Sequence, residues 1–148
     1  MIDPLDSLLS DIQHECDNAA VDMFGAETTA RWKNPSFAAV MEQPDSVGEM
    51  TGSCNDSIKI FLKFDDNRIC KASFYTTGCG ASIVSADAVC ELSSGKTIDE
   101  ASEIDGEDII KILGKVPEDK KHCAHLASSA LQEALGAWLE MNKKNSPL

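Results

Sequence analysis

Three short segments hold the residues best suited to chemistry: Gly52-Ser53-Cys54-Asn55-Asp56, Thr77-Gly78-Cys79-Gly80 and Lys120-Lys121-His122-Cys123. A thiolate is both a soft-metal ligand and a sulfur nucleophile, and helix N-termini or nearby cations lower a thiol's pKa. Cys79 and Cys123 fall where helices are predicted to begin, and Lys120 and Lys121 put positive charge beside Cys123. Glycines beside Cys79 let backbone amides approach a sulfur. His122 and Asp56 add a nitrogen and an oxygen donor. The cysteines stand 25 and 44 residues apart, without the Cys-x-x-Cys pairs of a zinc ribbon or finger. From the residues alone, a three-cysteine site with His or Asp stands beside the plainer reading of buried structural thiols.

The elements that must position these residues follow from hydrophobic period. Leu5, Leu8, Leu9, Ile12, Cys16, Ala19, Ala20 and Met23 predict a helix over 5–24, with Gly25 as its C-terminal cap and Cys16 in its apolar stripe. Residues 31–50 read as extended loop, punctuated by Asn34-Pro35 and Gln43-Pro44. Ile58 to Phe64 alternates as a strand, Asp65-Asp66-Asn67-Arg68 turns, and Ile69 to Thr76 forms a second strand with Cys70, Ala72 and Phe74 on one face. A third strand over 46–53 is weakened by Gly48 and Gly52. A helix follows from about Ala81 to Ser94, closed by Gly95. Thr97-Ile98-Asp99-Glu100 is a capping-box pattern, and Gly106 to Leu113 is a further helix. The last helix starts near Pro117 and reaches about Met141, on Leu126, Ala130, Leu131, Ala134, Leu135, Trp138 and Met141; the tail 143–148 is frayed. This order predicts one α+β domain over 1–148: a small antiparallel sheet of about three strands, with helices packed mostly on one face.

The chain's 148 residues suit a single core. The net charge is −12, and residues 1–50 hold ten acids against two bases. Nucleic-acid binding needs clustered Lys and Arg, so it is excluded. No apolar run spans a bilayer and Met1-Ile2-Asp3-Pro4 carries no export signal, so a cytoplasmic location is expected. In a reducing compartment, six cysteines favour metal or sulfur chemistry over disulfides. Cys70 and Cys90 fall on predicted core faces. His125 lies about 200° around the helix from Cys123 and reads as surface. No P-loop, dinucleotide fingerprint or Ser-His-Asp order is present, so no turnover enzyme is implied.

The ordered set Cys-Asn-Asp, Thr-Gly-Cys-Gly-Ala-Ser and Lys-Lys-His-Cys-Ala-His-Leu-Ala resembles the three cysteine motifs of the IscU/NifU scaffold family, and Asn34-Pro35 resembles its N-terminal Asn-Pro. The likeness runs from about Trp32 to Trp138. It implies a scaffold and carrier rather than an enzyme. Cys54, Cys79 and Cys123 would hold a labile 2Fe–2S cluster built with Fe2+, or Zn2+ when no cluster is bound. Asp56 would keep the cluster labile, His122 would be ligand-competent and Lys120 would support sulfur transfer. The implied partners are a cysteine desulfurase and acceptor apo-proteins; both monomer and homodimer are compatible. Glu118 and Asp119 replace part of the Leu-Pro-Pro-Val-Lys motif of many members, so weak stimulation by an Hsp70-type chaperone is expected. Asn55 stands for the usual glycine after the first cysteine and tolerates left-handed backbone. Related SufU proteins bind zinc, lack the histidine and carry an insertion before the third cysteine. His122 and the uninterrupted stretch from Cys79 to Cys123 favour the IscU/NifU branch. The alternatives are a zinc-bound sulfur acceptor and a structural zinc or interaction domain.

Overall fold

A computed structural model describes residues 4–12, 15, 25–52 and 55–145. Cys54, Cys16, most of 13–24 and residues 146–148 lie outside them, so the C-terminal half of the expected 5–24 helix and the end of the tail do too. Residues 4–12 are helical, yet Leu5, Leu8, Leu9 and Ile12 are each about half exposed. Over residues 4–12 the expected apolar stripe is therefore helical in spacing but not part of the core.

The first element beyond it is helix α1 (Ala26–Lys33), with Gly25 at φ 85° as its N-cap residue. This corrects the reading of 31–33 as loop; the helix end that Gly25 was expected to cap lies outside the described residues. Strands β1 (Ser46–Thr51), β2 (Ser57–Asp65) and β3 (Arg68–Thr76) form one antiparallel sheet in the order β1-β2-β3. Then come α2 (Gly80–Ser93), α3 (Ile98–Ser102), α4 (Gly106–Leu113), a 3-10 turn (Glu118–Lys120) and α5 (Lys121–Asn145). The capping box at Thr97 and Glu100 is formed, and Asp105 with Asp108 makes a second one for α4.

Ile58, Ile60 and Leu62 of β2 are fully buried and face a core shared with Phe74, Val84, Val89, Ala127, Leu131 and Ala134. Each such aliphatic side chain contributes about 1.5–3 kcal/mol by leaving water. Helix α5 packs on β1 and β2, α2 packs on β3, and α4 packs against both helices. This is the expected α+β arrangement. α2 is buried almost all round because β3, α1, α4 and α5 enclose it, which suits its sequence of Ala, Val, Ser and Cys.

Gly48, read from sequence as a strand breaker, has a packing reason. A Cβ there would run into the backbone of Ala130 and Ala134, so its absence lets α5 lie directly on β1. The hairpin turn places Asp66 and Asn67 at φ 55° and 65°. Near it the pairing passes from Lys63↔Lys71 to Phe64↔Ile69, so Cys70 is an extra residue in a β-bulge. The bulge breaks the alternation: Ile69 and Ala72 both turn inward and Cys70 is exposed, against the core position expected for it. Beyond β3, Phe74 N–H donates to Phe37 O at 3.0 Å and Ala39 N–H donates to Phe74 O at 3.1 Å, so residues 37–39 cover part of the sheet edge. On α5, Trp138 stacks on Phe64 with ring centroids 4.4 Å apart, while Met141 is exposed rather than packed.

Candidate functional site

Three element boundaries meet at one end of the sheet. Cys79 is the N-cap residue of α2, where β3 gives way to the helix. Cys123 lies in the first turn of α5. Asp56 closes the turn into β2: Gly52 N–H donates to Asp56 O at 2.8 Å and Asn55 N–H donates to Gly52 O at 3.1 Å. Asn55 has φ 63°, the left-handed conformation that asparagine tolerates. One ligand atom from each of Asp56, Cys79 and Cys123 lies within 4.8 Å of the others. Cys79 is exposed, Asp56 is intermediate and Cys123 is 1% exposed, so the group opens to solvent from one side.

A fourth side chain joins them. The Ser82 hydroxyl, fully buried one turn into α2, lies 3.4 Å from Asp56 Oδ2 and 3.6 Å from Cys123 Sγ. Gly78 makes the space for it: a Cβ there would stand 2.5 Å from Ser82 Oγ and 3.1 Å from Asp56 Cγ.

The two thiols differ. Burial pushes the Cys79 thiol up, but the backbone amides of Ser82 and Ala81, the charge of Lys120 and the Ser82 hydroxyl outweigh it, leaving the thiol below its ordinary value. Burial pushes the Cys123 thiol up; the Ser82 hydroxyl opposes this, the neighbouring Cys79 and Asp56 add to it, and the net is upward. An exposed, acidified sulfur thus sits beside a buried, less acidic one.

The other expected site residues fall as follows. His122 Nε2 is 3.6 Å from Cys123 Sγ, but His122 is outside the group whose donors all converge. Lys120 acts on Cys79 by its charge. Lys121 turns away to Glu118 at 2.6 Å. His125 is exposed, with Nε2 3.8 Å from Glu107, as its position on the helix implied. Cys90 is fully buried, and burial followed by the nearby Asp87 pushes its thiol far up, which makes it a packing residue as expected. Cys54 lies outside the described residues.

Sequence reasoning missed Ser82, Trp32 and the pair Arg31–Asp87. Ser82 had a usable signal: it stands three residues after the helix-capping Cys79, hence on the same side of the helix start. Trp32 packs over Gly80, where an added Cβ would stand 3.1 Å from the indole. Nothing local marks that contact, since 48 residues separate the two in sequence.

Fold and site define a small α+β domain carrying a partly open thiolate and carboxylate site at its strand–helix junctions. The chain belongs to the NifU-like N-terminal domain family, whose model matches residues 24–145. Among its relatives, the Archaeoglobus fulgidus protein named iron–sulfur cluster assembly scaffold protein IscU 1 is 34% identical over 123 residues, which cover 82% of this chain and 80% of that protein. The Drosophila melanogaster protein named iron–sulfur cluster assembly enzyme IscU is 33% identical over 129 residues, covering 84% and 83%. The N-terminal part of a nitrogen-fixing NifU-like protein from Brucella abortus has the same fold. Its TM-score is 0.63 at 16% identity, covering 81% of this chain and 96% of that one. No helix among the described residues is long and apolar enough to cross a membrane.

Proposed function

We propose that this protein is an iron–sulfur cluster assembly scaffold. It accepts sulfur from a cysteine desulfurase, assembles a labile 2Fe–2S cluster on Cys54, Cys79 and Cys123, and passes it to apo-proteins. The observation that carries the reading is the convergence of Asp56, Cys79 and Cys123 donors within 4.8 Å at an open edge of the fold. The scaffold names of its relatives support it.

The donor chemistry suits a cargo rather than a permanent centre. Iron in such clusters prefers thiolate, and four thiolates hold it firmly. Here a harder carboxylate oxygen stands among the sulfurs, which leaves one iron more weakly held. His122, next to Cys123, is a second weak donor within reach of the site. The low-pKa, exposed Cys79 fits sulfur acceptance. Its thiolate attacks the terminal sulfur of a donor persulfide, a new S–S bond forms on Cys79, and the donor cysteine leaves as thiolate. Lys120 favours the attacking thiolate by its charge.

Anaerobic reconstitution with iron and sulfide, followed by an absorption spectrum, tests the reading. Visible sulfide-to-iron bands are expected, and on transfer to apo-ferredoxin they should give way to the spectrum of holo-ferredoxin while the scaffold, once separated, is colourless; a protein that never takes up colour would overturn it. The compactness of the donor group also favours a single tetrahedral ion, so a zinc-bound sulfur acceptor is the second reading. It predicts tight, colourless zinc and no cluster under the same conditions.

A further inference from the structure

We propose that Ser82 is a further residue of this site: a hydroxyl set between the Cys123 sulfur and the Asp56 carboxylate, where a thiolate would lock the cargo in place. The inference rests on the reading of Cys79 and Cys123 as cargo ligands.

The geometry is specific. Ser82 Oγ is 3.6 Å from Cys123 Sγ and 3.4 Å from Asp56 Oδ2, inside the same small volume in which Asp56, Cys79 and Cys123 converge. The residue has no exposed surface. Its hydroxyl is therefore not a solvated group that happens to lie nearby. A hydroxyl has one hydrogen to donate. At these separations the O–H···S contact is of ordinary length and the O–H···O contact is long. The Cys123 sulfur and the Asp56 carboxylate both lie within its reach, so the hydroxyl serves the site's sulfur and its carboxylate together. The backbone leaves a matching gap, since any side chain at Gly78 would collide with this hydroxyl and with Asp56.

Two consequences follow for bound metal. A hydrogen bond to a ligand sulfur lowers its electron donation and raises the potential of the centre it holds. A hydroxyl is also a poor ligand for soft metal beside thiolate. Ser82 thus contributes an interaction to the site without contributing a fourth strong bond, and release stays easy.

The test uses the full-length, metal-free protein with Co2+ under anaerobic conditions and a non-thiol reductant, comparing wild type, Ser82→Cys and Ser82→Ala. Co2+ reports thiolate ligation through its sulfur-to-metal charge-transfer band. Ser82→Cys is expected to raise that band's intensity by one thiolate and to slow metal loss to a chelator by roughly tenfold, as the harder donors give way to sulfur. Ser82→Ala is expected to bind Co2+ with the band moved to lower energy, because the Cys123 sulfur loses its hydrogen bond. After reconstitution with iron and sulfide, Ser82→Ala should show a more negative midpoint potential than wild type. Unchanged intensity and chelator release in Ser82→Cys, with an unmoved band in Ser82→Ala, would overturn the assignment while leaving the three-cysteine site intact. No thiolate–cobalt band in wild type or either variant would overturn both readings together. Should Ser82→Cys fail to fold, the Ser82→Ala band position and potential decide the matter by themselves.

Discussion

The Arg31 guanidinium lies 2.7 Å from the carboxylate of Asp87, whose side chain is 1% exposed beneath α1. The same carboxylate accepts the Phe37 N–H at 2.9 Å, and Arg31 reaches Glu91 at 3.4 Å. Asp87 therefore ties both α1 and the segment after Asn34-Pro35 to α2. The next residue along α1, Trp32, lies over Gly80, beside Cys79. A part-buried ion pair remote from the thiols thus helps hold the helix whose Trp32 packs on the residue next to Cys79.

Removing only the cation should expose how much depends on that pair. Arg31→Ala leaves the buried Asp87 carboxylate without its guanidinium partner; losing one side of a fully buried pair typically costs about 3–5 kcal/mol, and this pair, with Arg31 a fifth exposed, should cost less. Arg31→Ala combined with Asp87→Asn should recover part of the loss, because the amide is neutral and its oxygen still accepts from Phe37. Urea unfolding of the three proteins measures this. A loss below about 1 kcal/mol for Arg31→Ala would class the pair with ordinary surface bridges.

Cluster loading should separate the six cysteines into two sets. Cys54→Ala, Cys79→Ala and Cys123→Ala are each expected to abolish stable loading while the domain stays folded. Cys16→Ala, Cys70→Ala and Cys90→Ala should load as wild type does. Visible absorbance after reconstitution is the readout, with circular dichroism as the folding control. Full loading by any of the first three would remove that residue from the site.

Asp56 should govern release rather than assembly. Its oxygen offers iron a hard, weak ligand, so Asp56→Ala is expected to keep its cluster longer and deliver it more slowly to apo-ferredoxin. A purely structural Asp56, closing its turn, would instead loosen the site when lost, at a stability cost of about 1 kcal/mol. The decay of visible absorbance without acceptor and the rate at which holo-ferredoxin appears with it distinguish these, and faster decay in the variant would end the lability argument.

Thiol chemistry should follow the two opposite pKa shifts. Alkylation needs the thiolate, and its fraction at a given pH is larger for the lower pKa. Cys79, lowered and exposed, should react with iodoacetamide before Cys123, raised and buried, and its rate should level off at lower pH. The same order is expected for sulfur from a desulfurase, with the persulfide on Cys79 ahead of Cys123 by mass spectrometry. Faster modification of Cys123 across the pH range would refute the electrostatic reading.

Chaperone response should be weak in the natural sequence. Val116-Pro117-Glu118-Asp119-Lys120 carries two acids in its centre, and the Glu118 carboxylate is engaged by Lys121 at 2.6 Å. Restoring the apolar motif with Glu118→Pro and Asp119→Val should increase the stimulation of cluster transfer by an Hsp70-type chaperone and ATP. Equal stimulation of both proteins would show that the acids are not the obstacle.

Much of the architecture was determined by the sequence itself, because short-range signals govern it. Alternation set β2, the Asp-Asn pair set its hairpin turn, and Thr97 with Glu100 capped α3 as their spacing required. The motif residues around the cysteines were equally readable, since asparagine tolerates the left-handed backbone found at Asn55 and glycine signals a close approach of the kind seen at Gly78 and Gly80. Tertiary structure alone decided the rest. The Cys70 bulge depends on where Lys63 and Phe64 pair across the sheet, so alternation within β3 could not reveal which way Cys70 faces. Gly48 looked like a weakness in a strand until α5 was laid against it. The exposed stripe of residues 4–12 has the spacing of a core helix, and spacing cannot report whether a partner surface is present. Ser82 and Asp87 were polar residues in a helix whose burial follows from being enclosed by β3, α1, α4 and α5. A chain's pattern records which face of an element is apolar, but which polar group is shut in with a thiol depends on contacts between residues far apart in sequence.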